Sequence, residues 1–339
     1  MHSASSADIH EPGLSPTPVR FRPSDAVREA LARLGRTEDI RFSPDNRLLA
    51  LAGFLEKKCL FLRIAIERDA SGGVVVTADD FTEVTSDGIS RVHGIDFIDD
   101  RTLAVANRDV KVAILRLPDG TAAGRQHHAP VLSNVRGGPF CRIKTPGSVA
   151  ARRMRGGQVE LLICNNYVHR VTRHVLAPQL GYLNWRNHIL LRQGLDIPDG
   201  IAVSGDGRWL AVSSHATRDV KIFDAAAPLG PDAQPAGILR EANYPHGLRF
   251  TPDDRHIVVA DAASPNVYVY ERGESWAGPR DPARRVAVLD RETFLRGHSN
   301  PEEGGPKGLD IDRTGTVMAT TCDEEVLSFF TVSSVLGNA

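Results

Sequence analysis

A repeated phrase limits the fold of this chain more than any other feature. "IPDGIAVSGDGRWLAVSSHATRDVKIFD" from Ile197 and "YPHGLRFTPDDRHIVVADAASPNVYVYE" from Tyr244 share one order of parts. A small-residue turn leads into an apolar strand, an Asp/Gly turn, a second apolar strand and a third. Aligned on the residue before the glycine or its equivalent, six such units begin at Glu38, His93, Gly147, Asp199, His246 and Lys307. They open with "EDIRFSPDNRLLALAG", "HGIDFIDDRTLAVAN", "GSVAARRMRGGQVELLICNN", the two phrases above, and "KGLDIDRTGTVMATTC". The spacings are 55, 54, 52, 47 and 61 residues, a period that marks a repeat architecture. The third unit is the weakest, since it lacks the aligned glycine and carries extra residues before its second strand.

Apolar and polar residues alternate over short runs in each unit, the period of half-buried strands, with Asp, Gly, Asn and Pro between them for tight turns. Each unit has room for four strands; in the fourth these fall at about 200–205, 208–214, 219–224 and 235–241. One four-stranded sheet cannot bury both faces alone, so neighbouring units must stack. Six sheets set radially make an all-β, six-bladed β-propeller. The last unit has three clear strands, and "PVRFRP" at 18–23 is placed to supply the fourth and close the ring. Between that strand and Glu38, residues Val27, Ala30, Leu31 and Leu34 have helical spacing, with Gly35 positioned to end a short helix near the channel mouth. An open pair of β-sandwiches fits the six-fold register less well, and no seventh unit is visible. The expected organisation is a disordered tail over 1–16 and one propeller domain over 17–339.

In a propeller the first strand of every blade lines the central channel, and all six run in one direction. The six starting residues therefore form a ring at one mouth: Glu38, His93, Gly147, Asp199, His246 and Lys307. Taken singly, each histidine reads as a solvated channel residue. Taken together, two carboxylates, two imidazoles and a lysine repel one another unless a cation offsets them. A divalent metal does so through carboxylate oxygen and neutral imidazole nitrogen. Glu38, Asp199 and His246 are the expected ligands, with His93 as a fourth ligand or general base. The histidines favour Zn, Mn or Fe over Ca, which prefers oxygen-only sites. Gly147 would leave a gap through which substrate approaches. Second strands end near the same face, so Asn107, Asn165, His215 and Cys322 are expected to orient the ligands, although Cys322 also reads as a small buried hydrophobe. Asp261 is expected to bond its own turn. His127, His128, His169 and His174 read as structural or surface residues.

Totals narrow the function. A net charge of −1 excludes bulk attraction to nucleic acid or acidic membranes. The longest apolar block, Leu48 to Leu55, is far too short to span a membrane by a helix. Cys59, Cys141, Cys164 and Cys322 show no C-x-x-C spacing and no disulfide framework, and residues 1–17 carry no apolar signal core. A reduced, cytoplasmic protein acting on a small molecule is expected; nothing in the sequence fixes its oligomeric state.

The phrases "IPDGIAVSGDGRWLAV" and "YPHGLRFTPDDRHIVVAD" resemble the six-bladed propellers of the gluconolactonase, paraoxonase and NHL-repeat superfamily, over most of residues 38–332. In the gluconolactonase branch a glutamate at the first inner-strand start, with Asn and Asp at later ones, binds a divalent metal. The resemblance puts Glu38 on that glutamate and Asp199 on an acidic or amide ligand position; His93, His246 and Lys307 depart from it. It implies a metal-dependent hydrolase of a small ester or lactone, in which Lys307 would bind a substrate carboxylate or stabilise an oxyanion. A peptide-amidating lyase of the NHL type uses histidines around a channel metal, so a lyase or isomerase on the same site stays open. So does a non-catalytic interaction propeller. Three long connections, 25–34, 133–146 and 294–306, are expected to wall the mouth, with Gly297, Gly304 and Gly305 allowing movement.

Overall fold

Successive side chains along Leu48–Gly53 leave their sheet on opposite sides. Leu49 and Leu51 pack with Ile40, Val317 and Phe329, while Ala50 and Ala52 pack with Ile95, Phe97 and Val105. The same division recurs in His256–Asp261, where Val258 and Ala260 meet Leu309 and Met318, and Ile257 and Val259 meet Trp209 and Ile222. Each fully buried side chain of this size contributes about 1.5–3 kcal/mol, so a sheet gains from a neighbour on both faces. Radial stacking supplies two neighbours to every sheet.

The computed structural model describes residues 13–109, 111–118, 125–136 and 142–338, and it is an all-β, six-bladed propeller. The inner strands are Thr37–Phe42, Val92–Asp99, Pro146–Arg153, Pro198–Val203, Pro245–Phe250 and Leu309–Ile311, for blades 1 to 6. Blades 1 to 5 each continue through three further antiparallel strands, and blade 6 through two. The fourth unit's strands, 198–203, 209–214, 219–224 and 237–239, lie within a few residues of the sequence reading.

Closure involves more of the N-terminus than a single strand. Leu14 bonds to Arg285 and Ala287 on the outer strand of blade 5, so residues 13 and 14 are part of the domain. Val19 N–H donates to Phe329 O and Thr331 N–H to Thr17 O, on the outer strand of blade 6. Arg20–Pro23 then pairs in parallel with Val74–Thr85 of blade 1. The fourth strand expected over 18–23 is thus shared between two blades. Of the tail expected over 1–16, residues 13–16 are described and residues 1–12 lie outside the described residues. A helix over Asp25–Ala32 follows, N-capped by Ser24, and buries Val27, Ala30 and nearby Leu34 against blade 1.

Two devices set the inner strands. In five blades the inner strand slips register at its start: between Thr37 and Ile40, Val92 and Gly94, Pro146 and Val149, Pro198 and Ile201, and Pro245 and Leu248. Such bulges release a residue from the ladder and re-aim its side chain. The glycines that follow act by close approach. A Cβ on Gly94 would sit 2.6 Å from Gly147 O, one on Gly200 2.1 Å from His246 O, and one on Gly247 2.6 Å from Lys307 O. None of the three has a positive φ. The expected inward turn of the backbone is therefore a backbone-to-backbone contact between neighbouring blades.

Aspartates one layer deeper tie the blades together. Asp39 accepts from Ile95 N–H at 3.0 Å, Asp96 from Ala151 N–H at 2.7 Å, and Asp310 from Phe42 N–H at 2.8 Å. Each bond joins one inner strand to the next.

Candidate metal centre at the channel mouth

The bulges bring Glu38, His93, Asp199 and His246 to one end of the channel, where Lys307 joins them. His93 Nε2 and His246 Nε2 each lie 3.8 Å from Glu38 Oε2, and His246 Nε2 lies 3.1 Å from Asp199 Oδ2. The His93 and His246 rings stack with centroids 5.6 Å apart. Lys307 Nζ is 3.9 Å from Glu38 Oε1. All five are almost wholly buried.

Hydrogen-bond direction decides what this cluster can hold. His93 Nδ1 lies 2.9 Å from Gly147 O, an acceptor only, so Nδ1 carries the proton. Nε2 is then a bare lone pair, and it faces Glu38 Oε2, a buried carboxylate oxygen with no hydrogen-bond partner. Two acceptors face each other with no proton between them. Such an arrangement is repulsive unless a cation lies between the atoms, and two bonds of about 2 Å to one ion span separations of this order. Donor atoms of Glu38, His93 and His246 lie mutually within 4.8 Å, as do those of Asp199, His215 and His246. The cavity lined by Glu38, His93, Asp199 and His246 is about 10 Å³, room for little more than one ion or one water.

The charges fit that purpose. Burial alone would raise the Glu38 carboxyl, but Lys307, His93, Arg36 and His246 outweigh it and hold the pKa at about 2. Burial also works against Asp199, yet His246, His93 and His215 keep it well below the usual carboxylate range. Burial presses His246 down to about 3, so its imidazole is neutral at pH 7. Ionised carboxylates beside neutral imidazoles are the protonation states that metal ligands require.

Around these ligands lies a second ring, one residue beyond the positions expected from the sequence. Asn107 accepts from Ser90 N–H at 2.7 Å, Asn165 from Lys144 N–H at 2.8 Å, and Asp261 from Tyr244 N–H at 2.7 Å. These side chains clamp the segment leading into their own inner strand and do not reach the ligands. Asp261 also accepts from Ala263 N–H in its own turn. Cys322 packs in the apolar core beside Val258 and Leu309, with burial pushing its thiol up to about 11. After Asn107, Asn165 and Cys322 the following residue touches the cluster. Arg108 Nη1 is 3.9 Å from Asp199 Oδ1, Asn166 Nδ2 donates to Asp199 Oδ1 at 2.6 Å, and Asp323 holds Lys307 Nζ at 3.0 Å. His215, included in the sequence reading, is 3.6 Å from Asp199 Oδ2 and stacks on Tyr244.

Gly147 leaves no gap. A Cβ there would meet Asn166 Oδ1 at 2.1 Å and Asp199 Oδ1 at 2.3 Å, so those side chains already fill the place. Two further residues escaped the sequence reading: Arg36, whose guanidinium bonds Glu38, and Phe54, set edge-on to His93. Arg36 also reaches Glu303 at 3.2 Å, which brings the segment 294–306 to the mouth. Its glycines are tightly packed: a Cβ on Gly305 would lie 2.1 Å from Ser264 O, and one on Gly297 3.2 Å from Gly304 Cα. In the segment 133–146, residues 137–141 lie outside the described residues. Of the histidines set aside, His174 is buried between Thr172 and Asn184. His169 pairs with Asp196 at 2.9 Å, and His128 lies at the surface near Asp87.

No family model matches the chain, and no curated protein matches its sequence. Solved structures do match its fold. A protein carrying the name gluconolactonase aligns with TM-score 0.55 and 13% identity, over 88% of this chain and 89% of its own. A luciferin-regenerating enzyme aligns with TM-score 0.55 and 14% identity, over 88% and 92%. The hydrazine synthase of Kuenenia stuttgartiensis aligns with TM-score 0.54 and 15% identity, over 90% and 79%. At these identities the likeness is one of fold. The chain is a six-bladed β-propeller, similar in fold to a gluconolactonase-named protein and a luciferin-regenerating enzyme.

Proposed function

We propose that the chain is a metal-dependent enzyme working at this channel mouth, and that it hydrolyses a small ester or lactone. The observation that carries the reading is the pair of opposed acceptors, His93 Nε2 and Glu38 Oε2, buried with no proton between them. Fold likeness to a gluconolactonase-named protein supports the choice of reaction. Glu38, His93, His246 and Asp199 would hold a divalent ion, with Zn, Mn or Fe suiting the mixed nitrogen and oxygen donors. Such an ion, when bound, polarises a carbonyl and lowers the pKa of a bound water.

The remaining residues divide the other tasks. His215, with Nε2 3.6 Å from Asp199 Oδ2, is placed to orient that carboxylate. The buried Nη1 of Arg108 makes no hydrogen bond and lies 3.9 Å from Asp199 Oδ1, where it would donate to a substrate oxygen gaining negative charge. Lys307 is only 2% exposed and held by Asp323, which suits charge balance for Glu38 better than direct substrate binding.

The test is turnover of a panel of small lactones and esters by metal-loaded protein, its chelated form, and Glu38→Gln. Activity should require the metal and fall at least a hundredfold in the variant, with circular dichroism reporting an intact fold. Full activity in the presence of chelator would overturn the metal role, and no turnover of any lactone or ester by metal-loaded protein would overturn the reaction.

A further inference from the structure

The channel has a second end. Opposite the carboxylate–histidine cluster, the far ends of the inner strands open into a recess of about 1000 Å³. Six arginines line it: Arg41, Arg152, Arg153, Arg155, Arg249 and Arg313. Arg41 and Arg249 also line the small cavity at the first mouth, so their layer separates the two spaces. The recess is at the upper end of the range for small-molecule sites, and its walls come from the inner strands of a closed ring.

Only three carboxylates, Asp96, Asp206 and Asp310, share that lining. Arg249 pairs with Asp310 at 2.9 Å, and Arg152 and Arg153 pair with Glu160 and Asp99. Arg155 has no carboxylate within 4.0 Å among the described residues. Arg41 is 3% exposed, bonds Asp39, and turns its Nε toward Asp96 Oδ1 at 3.8 Å, a separation longer than a hydrogen bond. Six guanidiniums against three lining carboxylates leave positive charge in excess, and the buried Arg41 Nε–H still lacks a hydrogen bond that a ligand oxygen would supply.

Arginine, more than lysine, suits planar, two-pronged recognition of phosphate and carboxylate. We propose that this recess binds a small organic anion bearing two or more phosphate or carboxylate groups, at a site separate from the candidate metal centre. Arg155 and Arg313 at the rim would draw the ligand in, and Arg41 at the floor would take one of its oxygens.

Inorganic triphosphate and citrate serve as probes of the two anion types, in calorimetry at physiological salt. One probe should bind saturably, at one site per chain. Arg155→Glu and Arg313→Glu, both at exposed positions, should each weaken it about tenfold or more, as loss of a charged hydrogen bond requires. Glu38→Gln, at the other mouth, should bind the probe as the wild type does. Preference for triphosphate would assign a phosphate ligand, and preference for citrate a polycarboxylate. No saturable binding of either probe, or equal binding by wild type and both rim variants, would overturn the proposal.

Discussion

Saturating the chain with a divalent metal should raise its melting temperature by an amount the site allows one to work out. A ligand at about a hundred times its Kd stabilises the native state by about 2.7 kcal/mol. Unfolding entropy near 2.1 cal/mol/K per residue gives about 0.7 kcal/mol/K for a chain of this length, hence a shift of about 4 °C. Glu38→Gln keeps the side-chain volume beside Arg36 but offers a neutral amide to His93 Nε2 and His246 Nε2. If affinity falls a hundredfold, the same metal concentration stabilises by only about 0.4 kcal/mol, or less than about 1 °C. His93→Gln should behave alike, and exposed His128→Gln should keep the full shift. Scanning calorimetry with and without Zn, Mn and Ca reads these differences independently of each variant's metal-free stability. Equal shifts in wild type, Glu38→Gln and His93→Gln would place the ion elsewhere. No shift with any metal would remove the argument from the opposed acceptors.

Two further expectations follow from packing and burial. Gly147→Ala places a methyl about 2 Å from the oxygens of Asn166 and Asp199, so it should destabilise by about 1–3 kcal/mol and weaken metal binding through Asp199; an unchanged melting temperature and affinity would show that those side chains yield freely. His174 is held down at about 4, chiefly by burial, so its native state stays neutral while the unfolded chain takes up a proton below about 6.5. Its contribution is therefore lost as pH falls from 6.5 toward 4, by at most about 1.4 kcal/mol per pH unit. Urea titrations at several pH values should show a stability difference between wild type and His174→Gln that narrows across this window, and a constant difference would refute it.

What the sequence made legible was register. The residue before each glycine is single-valued in alignment, and Glu38, His93, Asp199 and His246 share one mouth with Lys307 because equivalent bulges re-aim the first four and Lys307 holds the same place ahead of its inner strand. The second ring failed by one residue for a physical reason. At the end of a second strand, Asn107 and Asn165 look like site residues because they are polar and buried. Their polarity serves the backbone of their own blade, and the next residue, already leaving the strand, turns over the channel. Asn166 and Asp323 could have been found by that offset. Arg36 could not, since it approaches from the helix connection, where no repeat supplies a register. Gly147 misled because an absent side chain reads as space, whereas space in a packed ring is taken by the neighbours.

The threading of the N-terminus across blades 5, 6 and 1 has a consequence for biosynthesis. Val19 bonds to Phe329, and Gly13 to the side chain of Asn266, so residues 13–19 find their partners among the described residues in the last two blades. At about 5–20 residues per second, the ribosome needs roughly 15–60 s to make the 310 residues between Val19 and Phe329. Over that interval the outer edge of blade 1 can already recruit Arg20–Pro23, while residues 13–19 wait unpaired. Nascent chains of this protein should thus carry an open, strand-ready terminus until translation is almost complete, and the ring can lock only as the last blade emerges.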